Sequence, residues 1–477
     1  MNKVKSAIIN SSVTSFLMQA MALLTSVIVA RLLTPDEIGT YAVVSASVMI
    51  LSEFKALGAG VYLVREAEIS VAKIRSALGV TILMSWGLAV IIMLAAQPIA
   101  IFYDLPDAPL IMLILCSTFI ISPYVSIPYA LLVREMDFGI LRNVKLTCAL
   151  ITLVSTVAFI MLGLSYYSLA LGYSLGFFAR FILLNTVYRV KLMEYKPAFS
   201  HLAEITKLGV STTAAEFLKK AYNVMPDMVI GRQGTTYDVG IFSRGYGFVQ
   251  FISDGLRMGV GMVSLPYVAS VKRSGGDLSE AYIKGSYLFN ALALPVLAVA
   301  SVSSLPVIRF LFGEQWDAAA PIASILMLWS AMRIIHFQFQ SFMIAMGLPN
   351  IVVIREALNV IAAMIVCFIL YPSGLAAIAW GFVAIALIEF FVLIIVMKKL
   401  VSLSMLQFGV AMLKNLLMTI LCLIPVLLFN YYYDFSVGNA FIIVLSIAAF
   451  MPFWWLMWLW LTKHGLFKEI FSSRPNN

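Results

Sequence analysis

The sequence predicts an all-α polytopic membrane protein with about 14 transmembrane helices, arranged as two six-helix lobes in a parallel repeat plus two C-terminal helices. The prediction rests on composition, on a regular series of apolar segments and on an internal repeat. Of the 477 residues, 62% are hydrophobic and only 12% are charged, too few charges to cover a soluble protein of this length. The net charge of +9 lies mainly in short links between apolar segments, so we expect no nucleic-acid partner.

Apolar segments of about 20 residues recur along the whole chain, and short links predict that neighbouring helices pack antiparallel. The predicted spans run approximately over 7–30, 39–63, 76–102, 109–133, 144–164, 167–188, 208–230, 239–265, 282–308, 319–346, 351–371, 374–397, 408–430 and 438–462. Four cysteines fall inside these spans without metal-ligand spacing and are interpreted as small hydrophobic residues: Cys116, Cys148, Cys367 and Cys422. Prolines within spans, such as Pro123 and Pro226, predict kinks.

Basic residues predict the orientation of the spans. Most of the 32 lysines and arginines fall in alternate links, on the side of the N-terminus, which places both termini in the cytoplasm. The N-terminal segment carries Lys3 and Lys5 before an apolar run and a small-residue site at Ala20. Because that run continues to Ala30, we expect a retained helix and not a cleaved signal peptide.

An internal repeat divides the chain. Val29–Val61 aligns without gaps to Ile230–Met262 with seven identities, among them Arg31 with Arg232, Thr34 with Thr235 and Gly39 with Gly240. A repeat of six spans is even in number, so both halves have the same orientation. The predicted domains are an N-terminal lobe over 1–189, a cytoplasmic linker over 190–207, a C-terminal lobe over 208–400, two further helices over 401–462 and a cytoplasmic tail over 463–477.

The span around Ser211–Gly231 is unusually charged. Glu216, Lys219, Lys220 and Asp227 share one face of a helix, because their spacing follows the helical period. Each central charge costs roughly 2.5–3.5 kcal/mol to insert, so such a face predicts a water-filled cavity or a partner of opposite charge.

Eleven charged residues within the spans are therefore candidates for a transport site. The basic ones would attract an anionic substrate, most plausibly a phosphate or pyrophosphate: Lys55, Arg180, Lys219, Lys220, Arg257 and Arg333. The acidic ones are candidates for coupling to H⁺ or Na⁺: Glu53, Glu216, Asp227, Asp254 and Glu389. Glu216–Lys220 and Asp254–Arg257 could equally be structural ion pairs within one helix. We predict no catalytic residue, no metal site and no cofactor, and we interpret His336 as a buried, hydrogen-bonded side chain.

Three stretches carry a resemblance to a known family: ARLLTPDEIGTYAVV (Ala30–Val44), GRQGTTYDVGIFSRGY (Gly231–Tyr246) and FLFGEQWDAAAP (Phe310–Pro321). In order and spacing they resemble the polysaccharide transporter family, the Wzx-type lipid-linked oligosaccharide flippases of the multidrug/oligosaccharidyl-lipid/polysaccharide (MOP) exporter superfamily. The resemblance implies two rocking lobes and a substrate of undecaprenyl-pyrophosphate-linked sugar units. It fixes no binding residues, because this family has no short motif that does so.

Two other cargoes are compatible with the same fold. A multidrug/cation antiporter or a peptidoglycan-precursor flippase is the alternative, and the six basic and five acidic candidates named above do not decide between them. A membrane enzyme acting on the lipid carrier is disfavoured, because the outside links are short and no nucleotide-binding loop is present. The expected location is the bacterial inner membrane. The expected partners are a lipid-linked glycan, membrane lipids and other polysaccharide-assembly proteins.

Overall fold

A computed structural model describes residues 2–187 and 196–472, and these residues form helices joined by short loops, with no strand among them. The helices of the N-terminal part are α1 (Asn2–Leu32), α2 (Pro35–Ser52), α3 (Ala59–Arg65), α4 (Val71–Tyr103), α5 (Ala108–Ile121), α6 (Pro123–Arg134), α7 (Phe138–Met161), α8 (Tyr167–Ile182) and α9 (Leu202–Gln233). They are followed by α10 (Thr236–Arg273), α11 (Leu278–Val302), α12 (Ser304–Phe312), α13 (Ala319–Ile335), α14 (Phe339–Met346), α15 (Pro349–Leu370), α16 (Leu375–Val401), α17 (Met405–Tyr433), α18 (Ala440–Leu461) and α19 (Gly465–Ser472). The all-α membrane fold is therefore confirmed.

Ten of the described helical segments are long and apolar enough to cross a membrane, or eleven if α5 and α6, which meet at a 50° bend, form one span. The bend falls at Pro123, as the sequence predicts, because proline lacks the N–H that would continue the helix. The other three predicted spans lie in α2 with α3, in α9 and in α10. These segments are helical but more polar, and they carry many of the candidate charges. The count of fourteen spans stays a prediction.

The chain divides into two compact units, Met1–Ser243 with Arg355–Met364, and Arg244–Ile354 with Ile365–Asn477. In the first unit α4 packs on α5, α7 packs on α8, and α9 lies against α2, α3 and α4. In the second unit α11 packs on α13 and α17, and α13 packs on α16. The four cysteines are buried and free, as expected. The predicted linker lies partly outside the described residues, and the predicted lobe boundaries stay predictions.

The second predicted span is interrupted where the sequence predicts a continuous helix. α2 ends at Ser52 and α3 begins at Ala59, and Leu57 and Gly58 between them have positive φ angles of 37° and 70°. A Cβ atom on Gly58 would lie 2.2 Å from the Cα of Gly209 in α9. Only glycine permits both this backbone conformation and this close approach. Broken helices of this kind line ligand and ion sites in transporters.

The internal repeat builds the same helix cap twice. Thr34 precedes α2, where its backbone N–H donates to the Glu37 carboxylate at 2.7 Å and its hydroxyl accepts from the Glu37 N–H at 3.3 Å. Thr235 precedes α10 and makes the equivalent pair of bonds with Asp238, each of 3.1 Å. Both are capping boxes. The matched cap residues therefore have the same structural role in both halves.

The two capped helices cross at matched glycines. A Cβ atom on Gly39 would lie 1.8 Å from the backbone oxygen of Thr236, and one on Gly240 would lie 2.0 Å from the backbone oxygen of Pro35. The Thr236 hydroxyl also donates to Asp36 at 2.9 Å. The N-terminal ends of α2 and α10 are thus in direct backbone contact, which no side chain larger than hydrogen would permit at either position.

Two histidines lie at helix breaks or ends and are hydrogen-bonded. His336, between α13 and α14, is buried and lies 2.8 Å from the Tyr282 hydroxyl, which confirms its interpretation as a buried, hydrogen-bonded side chain. His464, after α18, stacks on the Tyr287 ring with centroids 4.1 Å apart. Its Nδ1 accepts from the Leu466 N–H at 3.2 Å, and its Nε2 lies 3.3 Å from the Asn415 side-chain oxygen. His464 therefore attaches α19 to α11 and α17.

We predict that Gly39→Ala and Gly240→Ala each lower the free energy of unfolding by about 1–3 kcal/mol, because the added methyl group meets backbone that cannot move aside alone. The matched control is Gly247→Ala in α10, where a Cβ atom would meet nothing within 4 Å and the better helix former is neutral or stabilising. Thermal unfolding of the three detergent-solubilised variants checks this. Equal melting temperatures for all three would contradict the close crossing.

We predict that acidification loosens α19. Burial, aided by the charge of Lys414, lowers the pKa of His464 to about 4, so its neutral form stabilises the fold fully above the ordinary histidine pKa near 6.5 and progressively less as the pH falls towards 4. Hydrogen exchange of α19 measured between pH 8 and pH 5 should show this loss. A His464→Gln variant, which does not titrate, should be less protected at pH 8 but give a flatter pH profile. Parallel profiles for the two proteins would contradict the assignment.

Candidate functional site

Six of the eleven candidate residues come together in the first unit and form what we call the charged cluster: Glu53, Lys55, Arg180, Glu216, Lys219 and Lys220. Glu53 and Lys55 lie at the break after α2, Arg180 lies on α8, and the other three lie on α9. Lys220, Glu216 and Lys55 all interact electrostatically with Glu53, and Tyr173 interacts with both Arg180 and Glu53. Phe54 at the break packs on Phe217 of α9, with ring centroids 5.1 Å apart.

Lys55 is held by aromatic and hydroxyl groups. Its side chain is buried, and its ammonium lies 3.3 Å from the Thr118 hydroxyl and 3.8 Å from the centroid of the Phe119 ring. Its backbone carbonyl accepts from the Ser85 hydroxyl at 3.0 Å. Aromatic faces attract cations without neutralising them. The hydroxyl and the ring therefore contact the buried ammonium without placing a negative charge beside it.

Arg180, on α8, also lies close to an aromatic ring. Its guanidinium lies 5.9 Å from the centroid of the Phe177 ring, one turn earlier on α8, and it interacts by hydrogen bond with the Cys148 thiol. Phe177 also lies 5.5 Å from the Lys55 ammonium. The two cations thus share one aromatic ring.

The lysines of α9 differ from each other. Lys219 forms an ion pair of 3.1 Å with Glu216, and both side chains are substantially exposed, so the pair contributes about 0–1 kcal/mol. This is the structural alternative left open by the sequence, although the partner of Glu216 is Lys219 and not Lys220. Among the described residues, no carboxylate lies within ion-pair distance of Lys55, Arg180 or Lys220. The cluster therefore has an excess of positive charge.

The remaining five candidates lie outside the cluster. Asp227, near the C-terminal end of α9, accepts a hydrogen bond from the Ser243 hydroxyl. In the second unit, Arg333 and Glu389 form an ion pair of 3.4 Å with little solvent exposure, and Arg333 also lies 5.4 Å from the Trp329 ring centroid. Asp254 and Arg257 lie on successive turns of α10 and interact electrostatically. Among the described residues, no group of three or more His, Cys, Asp or Glu side chains could hold a metal ion.

Sequence reasoning missed the neutral partners of the cations. Thr118, Phe119 and Phe177 resemble the other apolar residues of their spans, and nothing local in the sequence separates them from lipid-facing side chains. It also missed Glu356, a buried acid near the start of α15. The Glu356 carboxylate lies 3.6 Å from the guanidinium of Arg355, the preceding residue. A list of every acid within the apolar segments would have included Glu356.

The family described as "Polysaccharide biosynthesis protein" matches residues 28–321. The succinoglycan biosynthesis transport protein ExoT of Rhizobium meliloti (strain 1021) is 23% identical over 309 residues, which cover 63% of this chain and 61% of ExoT. The teichuronic acid biosynthesis protein TuaB of Bacillus subtilis (strain 168) is 21% identical over 380 residues, 76% of each chain. The match to ExoT therefore spans about three fifths of that protein's length.

A solved structure extends the likeness to the whole fold. The lipid II flippase MurJ, in an inward closed conformation, superposes with a TM-score of 0.73 at 15% identity over 95% of this chain and 99% of MurJ. At this identity the likeness concerns the fold and not the cargo. Together with the family match, which includes both halves of the internal repeat, it confirms the resemblance seen in the sequence. The chain belongs to the Polysaccharide biosynthesis protein family.

Proposed function

We propose that the protein is a flippase for undecaprenyl-pyrophosphate-linked oligosaccharide, the repeat unit of an O-antigen, a capsule or an exopolysaccharide. It moves this lipid from the cytoplasmic to the periplasmic leaflet of the bacterial inner membrane by alternating access. The names of ExoT and TuaB support polysaccharide precursors as cargo. The protein acts as a transporter and not as an enzyme, with both termini in the cytoplasm and other polysaccharide-assembly proteins as partners.

The observation that carries the proposal is the excess positive charge of the cluster. Each of Lys55, Arg180 and Lys220 lacks a carboxylate at ion-pair distance among the described residues. Such charges are costly within a membrane protein, and they also repel one another. An anionic headgroup removes both penalties. A pyrophosphate is well matched, because lysine supplies a point charge and arginine a planar fork of donors.

The acids of the cluster fit a role as exchangeable counter-ions. Glu53 lies among Lys55 and Lys220 without an ion pair to either, and an incoming pyrophosphate would compete with it for both cations. A carboxylate that loses its cations binds a proton or a metal cation more readily. Glu53 is therefore our first candidate for H⁺ or Na⁺ coupling, and Glu216, Asp227, Asp254 and Glu389 are the others. Arg257 and Arg333 of the second unit would contact acidic sugars or the same headgroup.

The crossing of α2 and α10 fits alternating access. In the proposed orientation the crossing at Gly39 and Gly240 lies at the periplasmic ends of these helices. Release of a glycan on that side requires the two helix ends to separate. The contacts that would have to break include the close backbone approaches at Gly39 and Gly240 and the hydrogen bond between Thr236 and Asp36.

We predict that Lys55→Ala, Arg180→Ala and Lys220→Ala each slow transport at least about tenfold, because a charge-assisted hydrogen bond to the headgroup is worth about 1.5–3 kcal/mol. The measurement is translocation of a fluorescent undecaprenyl-pyrophosphate oligosaccharide in vesicles that contain the purified protein. Lys219→Ala is the matched control, one residue away, and we expect less than about a threefold change because Lys219 is already paired with exposed Glu216.

Three outcomes would each contradict a part of the proposal. If the wild-type protein moves no lipid-linked glycan but exports cationic dyes, the protein is a drug/cation antiporter. Transport of lipid-linked peptidoglycan precursor alone would keep the flippase but change the cargo. If Lys219→Ala slows transport at least about tenfold while Lys220→Ala transports at the wild-type rate, the cluster has been assigned wrongly.

A further inference from the structure

Phe177 is the element that the two enclosed cations of the cluster have in common. Its ring centroid lies 5.5 Å from the Lys55 ammonium and 5.9 Å from the Arg180 guanidinium. Lys55 and Arg180 come from different parts of the chain, the break after α2 and the last turn of α8. The ring of Phe177 therefore contacts both cations.

An aromatic ring can attract two cations without competing with an anionic ligand for them. Two neighbouring cations repel each other, and a carboxylate between them would relieve the repulsion but would also occupy the positions that a phosphate needs. The face of a phenylalanine ring attracts both cations through its quadrupole and carries no net charge. Both cations therefore remain available to an anion. Lys219, with its carboxylate partner Glu216, shows the other arrangement within the same cluster.

The surroundings fix the ring and both cations. Tyr173, one turn earlier on α8, stacks on Phe177 with centroids 6.4 Å apart and an interplanar angle of 28°. The Thr118 hydroxyl and the Phe119 ring hold the Lys55 ammonium from the other side. Groups held by packing in this way lose little conformational freedom when a ligand binds.

We propose that Phe177 is a positioning residue that makes Lys55 and Arg180 into a paired subsite for a pyrophosphate, in preference to a single phosphate. The inference rests on the proposed function and specifies which part of the substrate Lys55 and Arg180 bind. One phosphoryl group meets the lysine point charge and the next meets the arginine fork. A monophosphate can satisfy one of the two cations fully but not both.

The experiment measures binding of prenyl pyrophosphate and of prenyl monophosphate of the same chain length to the full-length protein in nanodiscs. We expect Phe177→Leu to weaken pyrophosphate binding about five- to thirtyfold, through loss of two cation–π contacts. Monophosphate binding should change much less, so that the preference for pyrophosphate falls. Phe177→Trp should restore the preference, because it keeps an aromatic face. The adjacent Phe178→Leu is the control, since Phe178 is exposed and makes no ring or cation contact with the cluster among the residues that the structure describes.

A second variant separates the cation–π effect from a packing defect. Trifluorophenylalanine at position 177 weakens the negative potential of the ring face with little change of shape, so the protein should fold while the preference for pyrophosphate falls. In transport assays the same variants should raise KM for the pyrophosphate lipid and leave the maximal rate nearly unchanged. Equal weakening of both probes, or an unchanged preference in the fluorinated protein, would overturn the role of Phe177. A wild-type protein that binds neither probe would instead overturn the proposed function.

Discussion

The cost of holding positive charge inside a membrane protein is the constraint on which the rest of this structure depends. The protein meets that cost in two ways. Lys219 and Arg333 have carboxylate partners, Glu216 and Glu389, so the two charges of each pair balance. Lys55 and Arg180 have aromatic faces and hydroxyl or thiol groups instead, which lower the cost without removing the charge. The difference separates cations whose charge is balanced by a carboxylate from cations whose charge is not.

The break between α2 and α3 is what allows Lys55 to take its position. A continuous helix would place successive side chains 100° apart and would leave its backbone groups bonded to each other. At the break the Lys55 carbonyl is free to accept from Ser85, and the chain turns through the left-handed conformation of Gly58. The close contact of Gly58 with Gly209 fixes the break against α9. Two glycines therefore bring the charges of α2 and α9 into one cluster.

The sequence was sufficient for the features that depend on local pattern. Hydrophobic composition predicts the membrane fold, the helical period predicts the charged face of α9, and the internal repeat pairs Thr34 with Thr235 and Gly39 with Gly240. It was insufficient for features that depend on contacts between residues far apart in the chain. The aromatic partners of Lys55 come from α5 and α8, far along the chain, and the break after Ser52 has no proline to mark it. The choice of Lys219, and not Lys220, as partner of Glu216 depends on side-chain conformations that spacing alone leaves open.

The internal repeat allows α2, which ends at a break, to be compared with its counterpart α10. α10 carries the same cap and the same crossing glycine, yet it is one continuous helix from Thr236 to Arg273. At the same offset Lys55 aligns with Leu256 and Ala56 aligns with Arg257, so the aligned part of α10 carries its cation one position later, on an unbroken helix. Under the proposed function, we expect the first unit, where the break holds Lys55 against Thr118 and Phe119, to bind the anionic end of the substrate.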